Sequence, residues 1–534
     1  MSTSPTIAIV GSGPIGSAYA RLLLEALPSA RVVMFEAGPQ LTAIAGESVR
    51  NISDPDEKER ARELSQGPQA GAFRESLGIP ASTVVEGMFT ARGGTYLLDF
   101  GGEGSAHAPT FPAAAASTNV GGMGAHWTCA TPSPTFSERV AFIPDSEWDD
   151  LEAEASRLLH VQTSAFADSA VGEAIRSLLS EEFAAELPEG FGPGTLPVAG
   201  DPMPDGSMRW AGADVVLGPL TDPDSPLAER FELRDLSLVR RIELSDGRAS
   251  GVTVENLRSH EVYSFEADLV IVAADAFRSP QLLWASGIRP KALGHYLTEH
   301  PVVISTVVLD GDSMARFATE EQLDGELERR SANPVDPVAA VNRIPFSEPA
   351  HPFSLQVMYA ENPPFPLAAD HPAAGNRWGY VNMGYGMRKR PRFEDAVTFD
   401  DTEPDYRGLP NMTISYELTD SELAEIEDGT AHLRRAAGAL GGFIAEPRLL
   451  PSGSSMHYQG TMRMGEEDDG TSVADPYSRV WGYDNLVVGG NALIPTATTM
   501  NPTLMSVAIA VRGARKAAEV LTADAPAAAT ATAI

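Results

Sequence analysis

The chain is poor in the residues that staple folds, bind polyanions or cross membranes. It has one cysteine, Cys129, in 534 residues, which excludes an internal disulfide. The plain reading of that thiol is a small buried side chain. Basic residues are scarce as well: 39 Lys and Arg stand against 73 Asp and Glu, a formal net charge of −34. Nucleic acid and anionic membrane surfaces need basic patches, so neither is expected as a partner, and the acidity reads as a solubility device. No run approaches the roughly 18 apolar residues of a membrane span. The residues before the first apolar run are too few for a signal peptide and lack its basic region. The expectation is a cytoplasmic protein. There is no internal repeat, no metal site is expected, and the Ala/Thr-rich stretch 523–534 is expected to be a frayed tail.

What is present reads as an α/β enzyme. A hydrophobic content of 43% supports a sizeable core. Residues 7–10 form an apolar run ending in glycine, the pattern of a buried parallel strand. Residues 16–26 carry helical periodicity, and 32–35 are a second buried strand ending at Glu36, which completes a βαβ unit. The charged stretch 47–75 reads as a surface excursion, 117–132 as loop, 149–159 as helix and 188–218 as turn-rich. Residues 238–243 and 251–255 flank the hairpin signal Ser245-Asp-Gly-Arg248. Further on, 268–273 predicts a buried strand and 279–286 a short helix. The runs 302–309 and 412–417 predict strands of a separate antiparallel sheet, 423–440 a helix, 485–488 a last core strand and 502–521 the last helix.

Three motifs carry chemistry. Gly11-x-Gly13-x-x-Gly16 lies between strand and helix, with Glu36 about 20 residues beyond its third glycine, the context of a dinucleotide fingerprint. The first glycine turns the chain, the second admits pyrophosphate close to backbone, the third lets helix pack on strand, and Glu36 is the candidate ribose acceptor. This pattern does not separate FAD from NAD. In the second motif, Gly121 and Gly122 permit close approach to a ring, which His126, Trp127 and Thr128 could then touch; a hydrogen-bonded structural histidine is the blander reading of His126. The third pairs His457 with Asn501. Asn501 before Pro502 signals a helix start, and it could simply cap that helix; functionally, the helix would turn its positive end toward the site. An imidazole titrates near working pH and suits a general base.

Together these segments resemble the glucose–methanol–choline (GMC) oxidoreductases, and within them the pyranose oxidase group, including bacterial glycoside 3-oxidases such as the C-glycoside oxidases. Gly121-Gly-Met-Gly-Ala-His-Trp-Thr-Cys-Ala-Thr-Pro132 is similar to the flavin-attachment segment of pyranose 2-oxidases. Leu293-Gly-His-Tyr-Leu-Thr-Glu-His-Pro301 resembles the family's Asp-His-Pro segment, and His351-Pro-Phe-Ser-Leu-Gln356 the start of a substrate loop. His457-Tyr-Gln-Gly-Thr-Met-Arg-Met-Gly465 and Asn501-Pro-Thr-Leu504 resemble the catalytic segments.

The resemblance implies a Rossmann-like FAD-binding domain with a discontinuous α+β substrate domain built on an antiparallel sheet, the GMC or p-hydroxybenzoate-hydroxylase-like fold. The implied FAD-binding domain is 1–145, 200–300 and 446–522; the implied substrate domain is 146–199 and 301–445. It implies that His457 takes a sugar hydroxyl proton while hydride passes to flavin, and that Asn501 bonds the same oxygen. Gln356 would contact a sugar hydroxyl and Thr128 would sit near the flavin's reactive nitrogen. The implied FAD contacts are Gly11, Gly13, Pro14, Ile15, Gly16, Glu36, Ala37, Thr118, Gly121, Gly122, Met123, His126, Trp127, Thr128, Val239, Ala274, Gly490, Asn491, Asn501, Pro502 and Thr503. His126 matches the residue that carries covalent flavin in fungal relatives. Here Gly124-Ala125 replace the polar pair before it, so FAD is expected to be non-covalent, with attachment at His126 the alternative. Asp275 stands where a glycine is usual, and the apolar Pro363, Pro364, Phe365 and Pro366 suggest a pocket wide enough for an aromatic aglycone. The expected function is oxidation of a secondary ring hydroxyl, at carbon 3 of a glycoside first and carbon 2 of a free sugar second, with oxygen as acceptor. The rivals are a quinone-dependent dehydrogenase, an NAD-linked sugar dehydrogenase and a flavoprotein that binds glycosides without turnover. The oligomeric state stays open between monomer and homo-oligomer.

Overall fold

The structure is a computed structural model that describes residues 4–66, 94–97, 107–204, 207–331, 341–363, 367–405 and 407–523. Its first layer is a five-stranded parallel sheet in the order Leu486–Val488, Leu269–Val272, Thr6–Val10, Arg31–Phe35, Phe231–Arg234. The central strands are unbroken apolar runs because both faces are covered; Ile7, Ala8, Ile9 and Val270 to Val272 are fully buried. The helix Pro14–Ala26 follows the first strand and packs on the helix Thr503–Ala523, which in turn packs on Asp145–Leu159. The last contact is tied by an Arg512–Glu147 ion pair at 2.7 Å. The first core therefore takes in Trp148, Leu151, Ala155, Leu158 and Leu159 of Asp145–Leu159.

A second core lies under a six-stranded antiparallel sheet, ordered Gly441–Leu449, Val302–Leu309, Tyr380–Gly386, Ser354–Ala360, Val341–Ile344, Gly194–Thr195. Strand alternation divides its faces. Leu355, Val357, Tyr359, Val381, Met383 and Tyr385 are buried in the second core, which also takes side chains of the helices Ala170–Phe183 and Asp420–Leu440. The alternate residues Gln356 and Met358 are only partly buried and belong to the opposite face. One expectation is corrected here: the strand around 412–417 is not in this sheet. It is Pro410–Ser415, paired with Ala396–Pro404 in a two-stranded ladder of its own. Its alternation fits any half-buried ladder, so it could not name the partner.

The hairpin signal is met by Ser237–Ser245 and Arg248–Asn256, extended to three strands by Val262–Glu266. The turn-rich 188–218 also holds short strands, Val198–Pro202 and Met208–Trp210, and the helix Ala213–Leu217. The excursion at 47–75 contains the short turn Val49–Asn51 and the helix Pro55–Gln66, with 67–75 lying outside the described residues. Of the apolar run at 363–366 only Pro363 is described, and of the tail only Ala523, which closes the last helix. Among the described residues no helix is long and apolar enough to cross a membrane.

Candidate active site

A cavity of about 690 Å³ runs between the glycine loop, the 115–128 segment, the residues after Leu269–Val272 and the start of the last helix. One end is made mostly of backbone. Gly11 has φ +100, and a methyl there would lie 2.3 Å from the Ala273 carbonyl oxygen; a methyl on Gly16 would lie 2.1 Å from the Gly11 carbonyl oxygen. Both positions therefore exclude a side chain. The helix Pro14–Ala26 begins at Gly13 with no side-chain cap and no acidic residue in its first turn, so its first N–H groups are left for a ligand in the cavity. Glu36 lines the same end. Its Oε2 accepts from Ser12 Oγ at 2.8 Å and its Oε1 from Gly38 N at 2.8 Å. Burial pushes its carboxyl above the usual range, and these donors pull it back.

The other end is made of side chains. His457 Nε2 lies 3.3 Å from Asn501 Nδ2, and Asn501 Oδ1 accepts from Gln356 Nε2 at 2.5 Å. On the far side of the ring, His457 Nδ1 is 2.6 Å from His300 Nε2, the two rings stacked at 4.8 Å between centroids. The His457 backbone N–H donates to Ser455 Oγ at 3.1 Å, and Ser455 Oγ donates to Glu299 Oε2 at 2.5 Å. Burial pushes His457 down to about 4, holds His300 well below its ordinary value, and pushes Glu299 up to about 7. Loss of hydration penalises whichever form is charged, so both rings are neutral at working pH. A neutral imidazole beside a carboxamide on a cavity wall can accept a proton from a hydroxyl group that touches both from the cavity side.

The expected residues fall into three groups. Gly11, Gly13, Pro14, Ile15, Glu36, Ala37, Thr118, Gly122, Met123, His126, Trp127, Thr128, Val239, Ala274, Gly490, Asn491, His457, Asn501 and Thr503 all line the cavity. Gly16, Gly121 and Pro502 stand behind its wall; Gly121 N donates to Ser12 Oγ at 3.0 Å and so braces the loop. Gln356 is not on the wall but touches Asn501. One detail differs from the expected geometry. The last helix starts at Thr503, Ser506 N donating to the Pro502 carbonyl, so the Asn501 side chain bonds Gln356 and His457.

Four contributors escaped sequence reading. His300 and Glu299 lie inside the quoted 293–301 segment, yet nothing local couples them to residue 457. Glu138 Oε1 accepts from Thr499 N at 2.8 Å, holding the turn before Asn501. Arg407 lines the cavity and donates to Thr118 Oγ1 at 2.6 Å. Asp275, the departure from glycine, takes φ 78 and offsets it by accepting from Phe277 N and Arg278 N at 2.7 and 2.8 Å, a local turn that aspartate makes well.

A parallel sheet with a glycine loop, an uncapped helix start and a carboxylate at one end of a long cavity, and a neutral base at the other, defines a dinucleotide-dependent oxidoreductase. The comparisons narrow the class. Models of the GMC oxidoreductase family match residues 227–302 and 391–510. The chain is 42% identical over 527 residues to a C-glycoside 3-oxidase of Microbacterium trichothecenolyticum, covering 97% of each chain. It is 43% identical over 525 residues to a C-glycoside 3-oxidase of Arthrobacter globiformis, covering 97% of this chain and 95% of that one. The crystal structure of pyridoxine 4-oxidase from Mesorbium loti superposes with a TM-score of 0.63 at 16% identity, over 96% of this chain and 99% of that one. The chain belongs to the GMC oxidoreductases, and its dinucleotide is FAD.

Proposed function

We propose that the chain is an FAD-dependent oxidase of a secondary ring hydroxyl of a glycoside, acting at carbon 3 and giving the 3-keto sugar, with oxygen reduced to hydrogen peroxide. The carrying observation is the neutral His457 ring on the cavity wall, its Nε2 3.3 Å from Asn501 Nδ2. Carbon 3 and the glycoside class are supported by what the two bacterial relatives are named for. FAD would be held by the glycine loop, the start of the helix Pro14–Ala26, Glu36 and the 122–128 segment, and it supplies the hydride acceptor.

The chain's own residues do the rest. Asn501 donates its amide to the substrate oxygen, His457 Nε2 takes the hydroxyl proton, and Gln356 holds Asn501 in that orientation. Burial keeps water from competing for the imidazole. We infer that FAD is held non-covalently, because small residues precede His126; acid precipitation that leaves a yellow supernatant supports this, and a yellow pellet refutes it. The functional reading is tested by anaerobic bleaching with free sugars, O-glycosides and C-glycosides, followed by product analysis. A 3-keto glycoside supports it. A 2-keto free sugar as sole product overturns the regiochemistry, and turnover that needs a quinone overturns the oxidase assignment. Failure of every sugar to bleach the flavin overturns the enzyme itself.

A further inference from the structure

The polar groups at the side-chain end form one continuous row, Gln356–Asn501–His457–His300. Such a row has a direction. Gln356 Nε2 donates to Asn501 Oδ1, so the other end of that carboxamide, Nδ2, faces His457 as a donor. His457 Nε2 must then be the lone-pair nitrogen, and the ring proton sits on Nδ1. At 2.6 Å from it, His300 Nε2 has to accept, which places the His300 proton on Nδ1. That Nδ1 is buried without a hydrogen-bond partner among the described residues, so His300 is anchored through its contact with His457 and not by a second polar group. The neighbouring carboxyl, Glu299, binds Gly453 N and Ser455 Oγ and neither imidazole. No carboxylate therefore orients His457; the Asn501 amide on one side of the ring and another imidazole on the other do.

We propose that His300 is the positioning residue that, together with Asn501, keeps His457 in its proton-accepting tautomer and shares the proton it takes up, an inference that rests on the oxidase reading above. The substrate O–H bond breaks and an Nε2–H bond forms on His457. The two rings then carry one added positive charge between them, the Nδ1 proton remaining on His457 or crossing to His300 Nε2. FAD, when bound, would take the hydride from the same carbon, and the proton would be returned when oxygen is reduced to hydrogen peroxide. A neutral second ring accepts part of the charge without the desolvation that a buried carboxylate would impose at rest. It can carry only one charge, because each protonated ring opposes protonation of the other.

Two variants and one spectrum test this. His300→Phe keeps a flat ring and removes the acceptor; His300→Gln keeps a polar atom near the Nε2 position. Anaerobic bleaching by a glycoside should slow about 10²-fold in the Phe variant, the low end of a general base's contribution, and recover to within about tenfold in the Gln variant. Glycoside affinity should move little in either. Native speed in the Phe variant, or equal losses in both, overturns the proposal. The spectrum needs no substrate: NMR of the oxidised holoenzyme with isotope-labelled histidine, His457 assigned through His457→Gln. The proposal requires the ring proton on Nδ1 in the native protein and a partial shift of it toward Nε2 in His300→Phe, where Asn501 alone still favours the native tautomer. A proton on Nε2 in the native protein overturns it even where glycosides bleach the enzyme. If no sugar bleaches the flavin, the functional reading has failed, and the spectrum still decides the tautomer.

Discussion

The two ends of the cavity are built on opposite principles. The dinucleotide end is centred on one stretch of chain, residues 10–36, closed by 115–128, 237–239 and 273–276, and that stretch presents mostly backbone: glycines too crowded for a methyl and the uncapped start of a helix. The base end is gathered from four distant places, His300, Gln356, His457 and Asn501, and presents side chains tied head to tail. A backbone-built site tolerates the loss of side chains but not added atoms. A side-chain site responds the other way. Holding and reacting can therefore be broken separately.

The largest effect is expected at the base end. His457→Ala should slow anaerobic flavin bleaching by about 10²–10⁴, the usual reach of general acid–base catalysis, while FAD content stays native. A variant that loses FAD instead would collapse the distinction between the ends. Gly16→Ala should do the reverse. Its methyl would meet the Gly11 carbonyl oxygen at 2.1 Å, and such overpacking costs about 1–3 kcal/mol. The expected result is lower thermal stability and FAD lost on gel filtration, with the fraction that keeps FAD bleaching at the native rate. Gln356→Leu comes third. It removes the hydrogen bond that orients Asn501, worth about 0.5–1.5 kcal/mol net, so anaerobic bleaching should slow about 2- to 12-fold and Tm should fall slightly, with FAD content native.

The same contrast explains how far the sequence could be read. The glycine loop and Glu36 were legible because spacing along one βαβ unit fixes their geometry, and the parallel strands announced themselves as unbroken apolar runs. At the other end, local pattern gave only candidates: Asn501 read as a helix cap, and a lone histidine reads as structural. Resemblance joined Asn501 to His457 in advance, and the contact at 3.3 Å is what places them together. His300 stayed hidden because its partner lies 157 residues away and no periodicity links them. The antiparallel strand at 410–415 shows the same limit, since alternation reveals that a strand is half-buried but not beside which strand it lies.

The smallest effect expected is the pH response of the reductive step, and its flatness is what makes it informative. Burial depresses His457 from 6.5 to about 4, so the folded protein keeps the ring unprotonated well below the pH at which an exposed imidazole would charge. Base competence is thus present above and lost as pH falls through about 4, and bleaching should change less than about twofold between about pH 5.5 and 7.5. Stability runs the same way: an unfolded chain binds that proton near 6.5 and the folded chain does not, so the stability held above 6.5 is lost as pH falls toward 4. Rates at the acid end therefore call for a brief pH jump. Beside the site, Glu299 is pushed up to about 7, inside that interval, and it reaches His457 through Ser455 Oγ and the His457 backbone N–H. A shallow step near 7 that disappears in Glu299→Gln would belong to that carboxyl. A full loss of rate centred near 6.5 would instead mean that the His457 ring is hydrated, and the dry, side-chain character assigned to this end of the cavity would be wrong.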